Sequence, residues 1–141
     1  MKPMPDNETC FIDSNIWLYA FTDNDTQKKE VAQALIKASK PVVSTQVINE
    51  TCVNLIKRSK FPETRISELI KTFFEKYDVI ELQKGLLLTA SQLRLEYAFS
   101  FWDSIIVAAA LISGVKTLYS EDMQDGLVVH DSLKIINPFK L

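Results

Sequence analysis

A chain of 141 residues, 47% apolar and 24% charged, has the size and balance of one globular domain that folds without disulfide or zinc staples. Three Gly and five Pro exclude a fibrous or loop-rich chain. Sixteen basic against 18 acidic residues, a net charge of −2, exclude a broad electrostatic track for nucleic acid. In chain order, Thr9 to Ile12 reads as a short apolar strand ended by Asp13-Ser14-Asn15, followed by a brief helix, Ile16 to Phe21. Gln27 to Lys40 places Val31, Ala34, Leu35 and Ala38 on one helical face. Pro41 to Ser44 is a second strand, and Thr45 is positioned to cap a helix with the stripe Val47, Ile48, Cys52, Leu55 and Ile56. Pro62 suits the first residue of the next helix, whose stripe is Ile66, Leu69, Ile70, Phe73, Phe74 and Tyr77. Val79 to Leu82 is a third strand, Leu86 to Tyr97 and Trp102 to Ile112 are helices, and Gly114 closes the second as its C-cap. Thr117 to Ser120 is a fourth strand; Val128-Val129 and Ile135-Ile136 read as edge pieces. Strands alternating with helices predict one α/β domain over residues 1–141, a short, mostly parallel central sheet flanked by helices.

Cys10 and Cys52 are too few for a disulfide framework, lack a His or Cys cluster for structural zinc, and read as small buried residues. Met1 to Thr9 holds no apolar run of signal-peptide length, and the longest apolar run, Ile105 to Ile112, is far short of the roughly 20 residues of a membrane span. The expectation is a cytoplasmic protein with reduced thiols and no membrane contact.

Four acids stand in costly places. In open parallel sheets ligands bind beyond the carboxyl ends of strands. Asp13 directly follows the first strand and Asp122 follows the fourth; Asp103 opens a helix apolar on all sides, and Glu50 sits at the edge of its helix's apolar stripe. Each has an ordinary structural use too: Asp13 as a helix cap, Asp103 in a near-capping box with Ser100, Glu50 as a solvated helix residue, Asp122 and Asp125 in a turn. Together they favour a site, because carboxylates at buried surface need a cation and none adjoins Asp13, Asp103 or Asp122 in sequence. Oxygen donors without His or Cys suit Mg²⁺ or Mn²⁺, and such an ion activates water and clamps phosphodiester oxygens, the chemistry of a nuclease or phosphatase.

Phe11-Ile12-Asp13-Ser14-Asn15-Ile16, the helical Glu50, Trp102-Asp103-Ser104 ahead of an Ala-rich helix, and Ser120-Glu121-Asp122-Met123-Gln124-Asp125-Gly126 resemble, in that order, the PIN domain. They are most similar to the VapC-type ribonuclease toxins of bacterial toxin–antitoxin pairs, and Ile135-Ile136-Asn137-Pro138-Phe139 also looks like one branch of that family. The resemblance implies an endoribonuclease dependent on Mg²⁺, with Mn²⁺ as an alternative. It implies Asp13, Asp103 and Asp122 as metal ligands, with Glu50 holding water or metal to help activate the nucleophile. Asn15 and Ser120 then brace the carboxylates, and Asp125 is either a site residue or a turn residue. The implied partners are an RNA substrate, a cognate antitoxin in a helix-lined groove, and a second copy in a homodimer, for which the stripe from Ile66 to Tyr77 leaves an apolar edge.

Other residues have plainer readings. His130, the only histidine, reads as surface or edge strand; Lys57, Arg58 and Lys60 as a solvated cluster at a helix end, with phosphate binding the sharper alternative. Trp17 and Trp102 read as core or pocket wall, with Trp102 placed to touch a base. The rival functions are an aspartyl-phosphate enzyme, disfavoured because Asn15 stands where a second acid is needed, and a PIN-like RNA- or protein-binding module with a vestigial acidic site.

Overall fold

The computed structural model describes residues 8–140, so most of the Met1 to Thr9 segment lies outside it. In chain order it contains β1 (Glu8–Ile12), α1 (Ser14–Phe21), α2 (Thr26–Ala38), β2 (Ser39–Ser44), α3 (Thr45–Ser59), α4 (Glu63–Lys76) and β3 (Asp78–Ile80). Then come α5 (Lys84–Glu96), α6 (Phe101–Ser113), β4 (Thr117–Tyr119), β5 (Val128–Val129) and β6 (Leu133–Ile136), with a last 3-10 turn at Pro138–Lys140. The strands form one sheet in the order β3-β2-β1-β4-β6-β5, parallel throughout except for the β5–β6 pair. This is the α/β architecture expected from the alternation of elements.

The chain therefore builds outward from β1 through β2 to β3, then returns across α5 and α6 to lay β4 on the other side of β1. The crevice between β1 and β4 is where the winding reverses, the place such sheets offer to ligands. Phe11 pairs with Leu118 and Ile12 with Tyr119 there. Because β1, β2 and β4 run the same way, Asp13, the start of α3 and the turn after Tyr119 all emerge at one end. α6 runs back toward the start of β4, so its first turn reaches the same end.

Side-chain caps fix where the helices start. Asp25 accepts from the Lys28 N–H, Ser44 from Val47 and Ser100 from Asp103. Ser44 rather than Thr45 thus caps α3, since the strand's last residue is the one with extended backbone. Pro62 likewise stands one residue earlier than expected, as the cap of α4. α2 gives way to β2 at Ser39, whose hydroxyl donates back to the Leu35 carbonyl, two residues short of the helical stripe's reading. Ile135 and Ile136 belong to an interior strand, not an edge: β6 is covered by β4 and β5, and β5 alone is the edge.

The core is Phe11, Ile12, Val43, Leu55, Leu93, Leu118, Leu133 and Ile135, with Trp17 set among Phe21, Phe73 and Tyr77. α6 is buried from Ser104 to Ala110, yet Phe101, Trp102 and Ile112 at its ends are exposed, so its apolar character reflects burial only over its middle. Of the α4 stripe, Ile66 and Phe73 are buried while Ile70 and Phe74 remain exposed. Among the described residues no single helix is long and apolar enough to cross a membrane.

Gly114 ends α6 at φ +80°, and a methyl added there would meet nothing within 4 Å. Gly114→Ala is therefore a pure backbone test, expected to cost about 1 kcal/mol in urea unfolding with the denaturant slope unchanged.

Candidate functional site

The residue after β1 carries the site's most buried charge. Asp13 is 3% exposed, its N–H donates to the Tyr119 carbonyl at 3.0 Å, and its carboxylate caps α1. Oδ1 accepts from the Ser14 N–H at 2.7 Å, and Oδ2 accepts from the Ser120 hydroxyl at 2.8 Å across the β1–β4 crevice. Ser120 in turn accepts the Met123 N–H at 3.3 Å, which folds the turn after β4 back over the strand end. The cap reading and the site reading of Asp13 are thus both realised in one side chain.

Glu50 reaches the same place from the second turn of α3. Its Oε1 accepts from the Ser14 hydroxyl at 3.0 Å and its Oε2 from the Gln46 amide at 3.1 Å. Ser14 lies within reach of both carboxylates, 3.4 Å from Asp13 Oδ1. Asn15 spans to the turn after β4: its amide donates to Asp122 Oδ2 at 3.0 Å, and its carbonyl accepts the Glu121 N–H at 3.4 Å. Asp103 sits half-buried in the first turn of α6, while Asp122 is exposed. Asp125 Oδ1 accepts the Asn137 N–H at 2.8 Å, which ties its turn to the end of β6, a turn role.

Electrostatics binds the four acids into one group. Burial, reinforced by the charges of Glu50 and Asp103, raises Asp13 to about 7 against the opposing hydrogen bonds from Ser120 and Ser14. Asp103 is raised as well, by burial first and then by the charge of Asp122, against the Ser100 hydrogen bond. Among the described residues none of Asp13, Glu50, Asp103 and Asp122 forms an ion pair. Glu121 next door differs, paired with Lys28, whose ammonium also lies over the Tyr19 and Phe139 rings.

The donor set is oxygen only and carries uncompensated negative charge, the chemistry that a hard divalent cation matches. In spacing the set is open: among the described residues no three acids, His or Cys stand close enough to enclose a metal ion. Asp13, Asp103 and Asp122 fit such an ion by chemistry.

Two clefts open at the acids. Asn15, Asn54, Arg58, Glu121 and Asp122 line one of about 320 Å³; Tyr97, Phe99, Asp103, Asp122 and Gln124 line the other, about 190 Å³. A larger cavity, about 950 Å³, lies at the opposite end of the sheet among Phe21, Ile36, Lys37, Phe74 and Tyr77. Of the basic cluster, Arg58 alone lines the acid-side clefts, while Lys60 is the left-handed cap of α3. Trp17 is core, whereas Trp102 is 57% exposed beside Asp103. His130 has a partner, Glu96 Oε2 at 2.8 Å, in the turn between β5 and β6. Cys10 and Cys52 are buried and free. Ser14, Gln46, Asn54, Tyr97 and Phe99 were not singled out by sequence. Only Ser14 and Gln46 had a signal, adjacency to Asp13 and helical i−4 spacing from Glu50.

The PIN domain profile matches residues 10–124. No curated protein gives a significant sequence match. Among solved structures, the chain is similar to a toxin–antitoxin complex from Klebsiella pneumoniae, with TM-score 0.68, 17% identity, and 92% of this chain and 97% of that one covered. It is similar to VapC20 of Mycobacterium tuberculosis, a sarcin–ricin loop cleaving toxin, with TM-score 0.63, 20% identity, and 77% and 86% coverage. A third is FitAcB from Neisseria gonorrhoeae, with TM-score 0.65, 13% identity, and 94% and 99% coverage.

Proposed function

Because this chain belongs to the PIN domain family, whose profile spans residues 10–124, we propose that it is a Mg²⁺- or Mn²⁺-dependent endoribonuclease acting as the toxin of a toxin–antitoxin pair. The observation that carries this reading is the convergence of Asp13, Glu50, Asp103 and Asp122, none in an ion pair among the described residues, at the sheet's switch point. The fold shared with the VapC20 and Klebsiella toxin structures supports it.

In this reading Asp13, Asp103 and Asp122 hold the divalent ion, which when bound supplies a more acidic water and screens the phosphate's charge. Asn15 steadies Asp122 and Ser120 steadies Asp13, the outer contacts that orient ligating carboxylates. Glu50, aimed at Asp13 by Ser14 and Gln46, orients the attacking water and takes its proton on a carboxylate oxygen.

Incubating the chain with RNA in Mg²⁺ or Mn²⁺, and then in EDTA, is expected to give cleavage in the ion and none in the chelator. Glu50→Gln should lose cleavage by about a hundredfold or more while keeping most of the metal-induced rise in melting temperature, because its work is on the water. RNA bound but never cut, in any divalent ion, would make the protein a binding module with a vestigial site.

The partners follow the same reading. The 950 Å³ groove, edged by the exposed Phe74, is the place for an antitoxin segment. Leu88 and Leu95, seven apart on α5 and the latter 81% exposed, suit a contact with a second copy. A strictly monomeric species at micromolar concentration by light scattering would count against the dimer. The proposed setting is the cytoplasm, where Cys10 and Cys52 stay reduced.

A further inference from the structure

The two clefts beside the acids share Asp122 and differ in everything else. On one side the wall is polar and cationic: Asn15, Asn54 and Arg58. Glu121, in the same cleft, is already matched by Lys28, and among the described residues Arg58 enters no ion pair. Amide and guanidinium donors in such a cleft suit an anionic, oxygen-rich group, phosphate above all.

On the other side the wall is aromatic. The Tyr97 and Phe99 rings lie with centroids 5.6 Å apart, inclined by 38°, at the edge of a cleft reaching Asp103 and Asp122. Tyr97 is anchored, its hydroxyl accepting the His130 N–H at 3.0 Å. Gln124, exposed on the same wall, brings an amide that can both donate and accept. A space of about 190 Å³ takes one flat ring system and has no room for a base pair.

From this asymmetry we infer that the groove is a two-part nucleotide site: Arg58 and Asn54 take the phosphate–ribose backbone, and the Tyr97–Phe99 wall takes one unpaired base, with the linkage to be cut lying across Asp122. The inference rests on the ribonuclease reading and adds a substrate class, RNA that is single-stranded at the cut. A base inside a duplex is stacked and cannot offer its face to these rings, whereas an unpaired one can.

The test is binding by fluorescence anisotropy in Ca²⁺, with two probes: a single-stranded RNA octamer, and a ribose-phosphate octamer lacking bases. Wild type is expected to bind the RNA roughly tenfold or more tightly, the effect of stacking one base on an aromatic ring. Phe99→Leu keeps the apolar bulk and removes the π face, so it should weaken RNA binding and leave the baseless strand unchanged. Phe99→Trp should restore the preference. Arg58→Ala should weaken both strands alike and lower the slope of log affinity against log salt by about 0.7, the share of one phosphate contact on a single strand. A preference that survives Phe99→Leu, or equal losses on both probes, overturns the base pocket. An unchanged salt slope in Arg58→Ala overturns the backbone half. Cleavage in Mg²⁺ is scored separately: discrimination without cleavage keeps the site and rejects the nuclease reading, and cleavage without discrimination does the reverse.

Discussion

Asp13→Asn is expected to cut RNA cleavage by more than about a hundredfold, since even the outer contacts of metal-ligating groups cost 10–100-fold when removed. The fold should not suffer. Asn keeps an oxygen for the Ser14 N–H and takes a buried negative charge away from Glu50 and Asp103. A divalent ion that binds only the folded site should stabilise wild type by roughly 1–3 kcal/mol at 10- to 100-fold saturation. Asp13→Asn and Asp103→Asn should each lose most of that gain. Asp13→Ala differs in kind, because it removes the α1 cap and strands the Ser120 hydroxyl, at a cost of about 1–3 kcal/mol without any metal. If both Asn variants melt several degrees lower in EDTA and wild type ignores Mn²⁺, the acids are structural caps and the nuclease reading fails.

The same carboxylate sets a pH dependence whose sign can be worked out. Asp13 is raised to about 7, and Asp103 is raised too, so across the window from about 4 to 7 the folded chain holds protons that the unfolded chain has released. Stability from these groups is therefore complete below about 4 and lost as the pH rises through 7. In EDTA, wild type should melt lower at pH 8 than at pH 5 by a wider margin than Asp13→Asn does. Parallel pH profiles for the two would remove the buried charge as the cause.

Trp17→Ala should give the largest stability loss in the chain, about 3–5 kcal/mol in urea unfolding. Its ring is 1% exposed and packs edge-on against Phe73 at 5.0 Å. Its indole N–H donates to the Ile12 carbonyl at 3.1 Å, and Ile12 is the residue that leads into Asp13. Trp17→Phe separates the two contributions, keeping most of the packing but leaving that buried carbonyl unpaired, for about 1–3 kcal/mol. A Trp17→Phe protein as stable as wild type would show that the hydrogen bond does not hold the strand end.

The order of elements was legible because each helix of ten or more residues writes its buried face at 3.6-residue spacing, as Ile66 and Phe73 do, and because Gly114 and Pro62 punctuate it. The acids were legible for a different reason: a charge that follows a strand, or heads an apolar helix, is costly wherever the chain goes next. What could not be read depends on pairing across long sequence separations. Val128-Val129 is too short to carry a period, so nothing local says that Ile135 and Ile136 lie inside the sheet rather than at its rim. Nor does local pattern tell that Phe99, in the connection after α5, and Arg58, near the end of α3, open onto the clefts at Asp122. Glu50 and Asp125 were ambiguous until their partners Ser14, Gln46 and Asn137 were seen.

The hydrogen bond from Ser120 to Asp13 joins residues 107 positions apart. During synthesis Asp13 leaves the ribosome early and must wait for β4 before its crevice exists. At roughly 5–20 residues per second that wait is on the order of five to twenty seconds. A chain of this design has no assembled acid cluster while most of it is still being made. Its chemistry would switch on in a single late event, when β4 slots in beside β1. A partner already present at that moment can meet the finished groove before any RNA does.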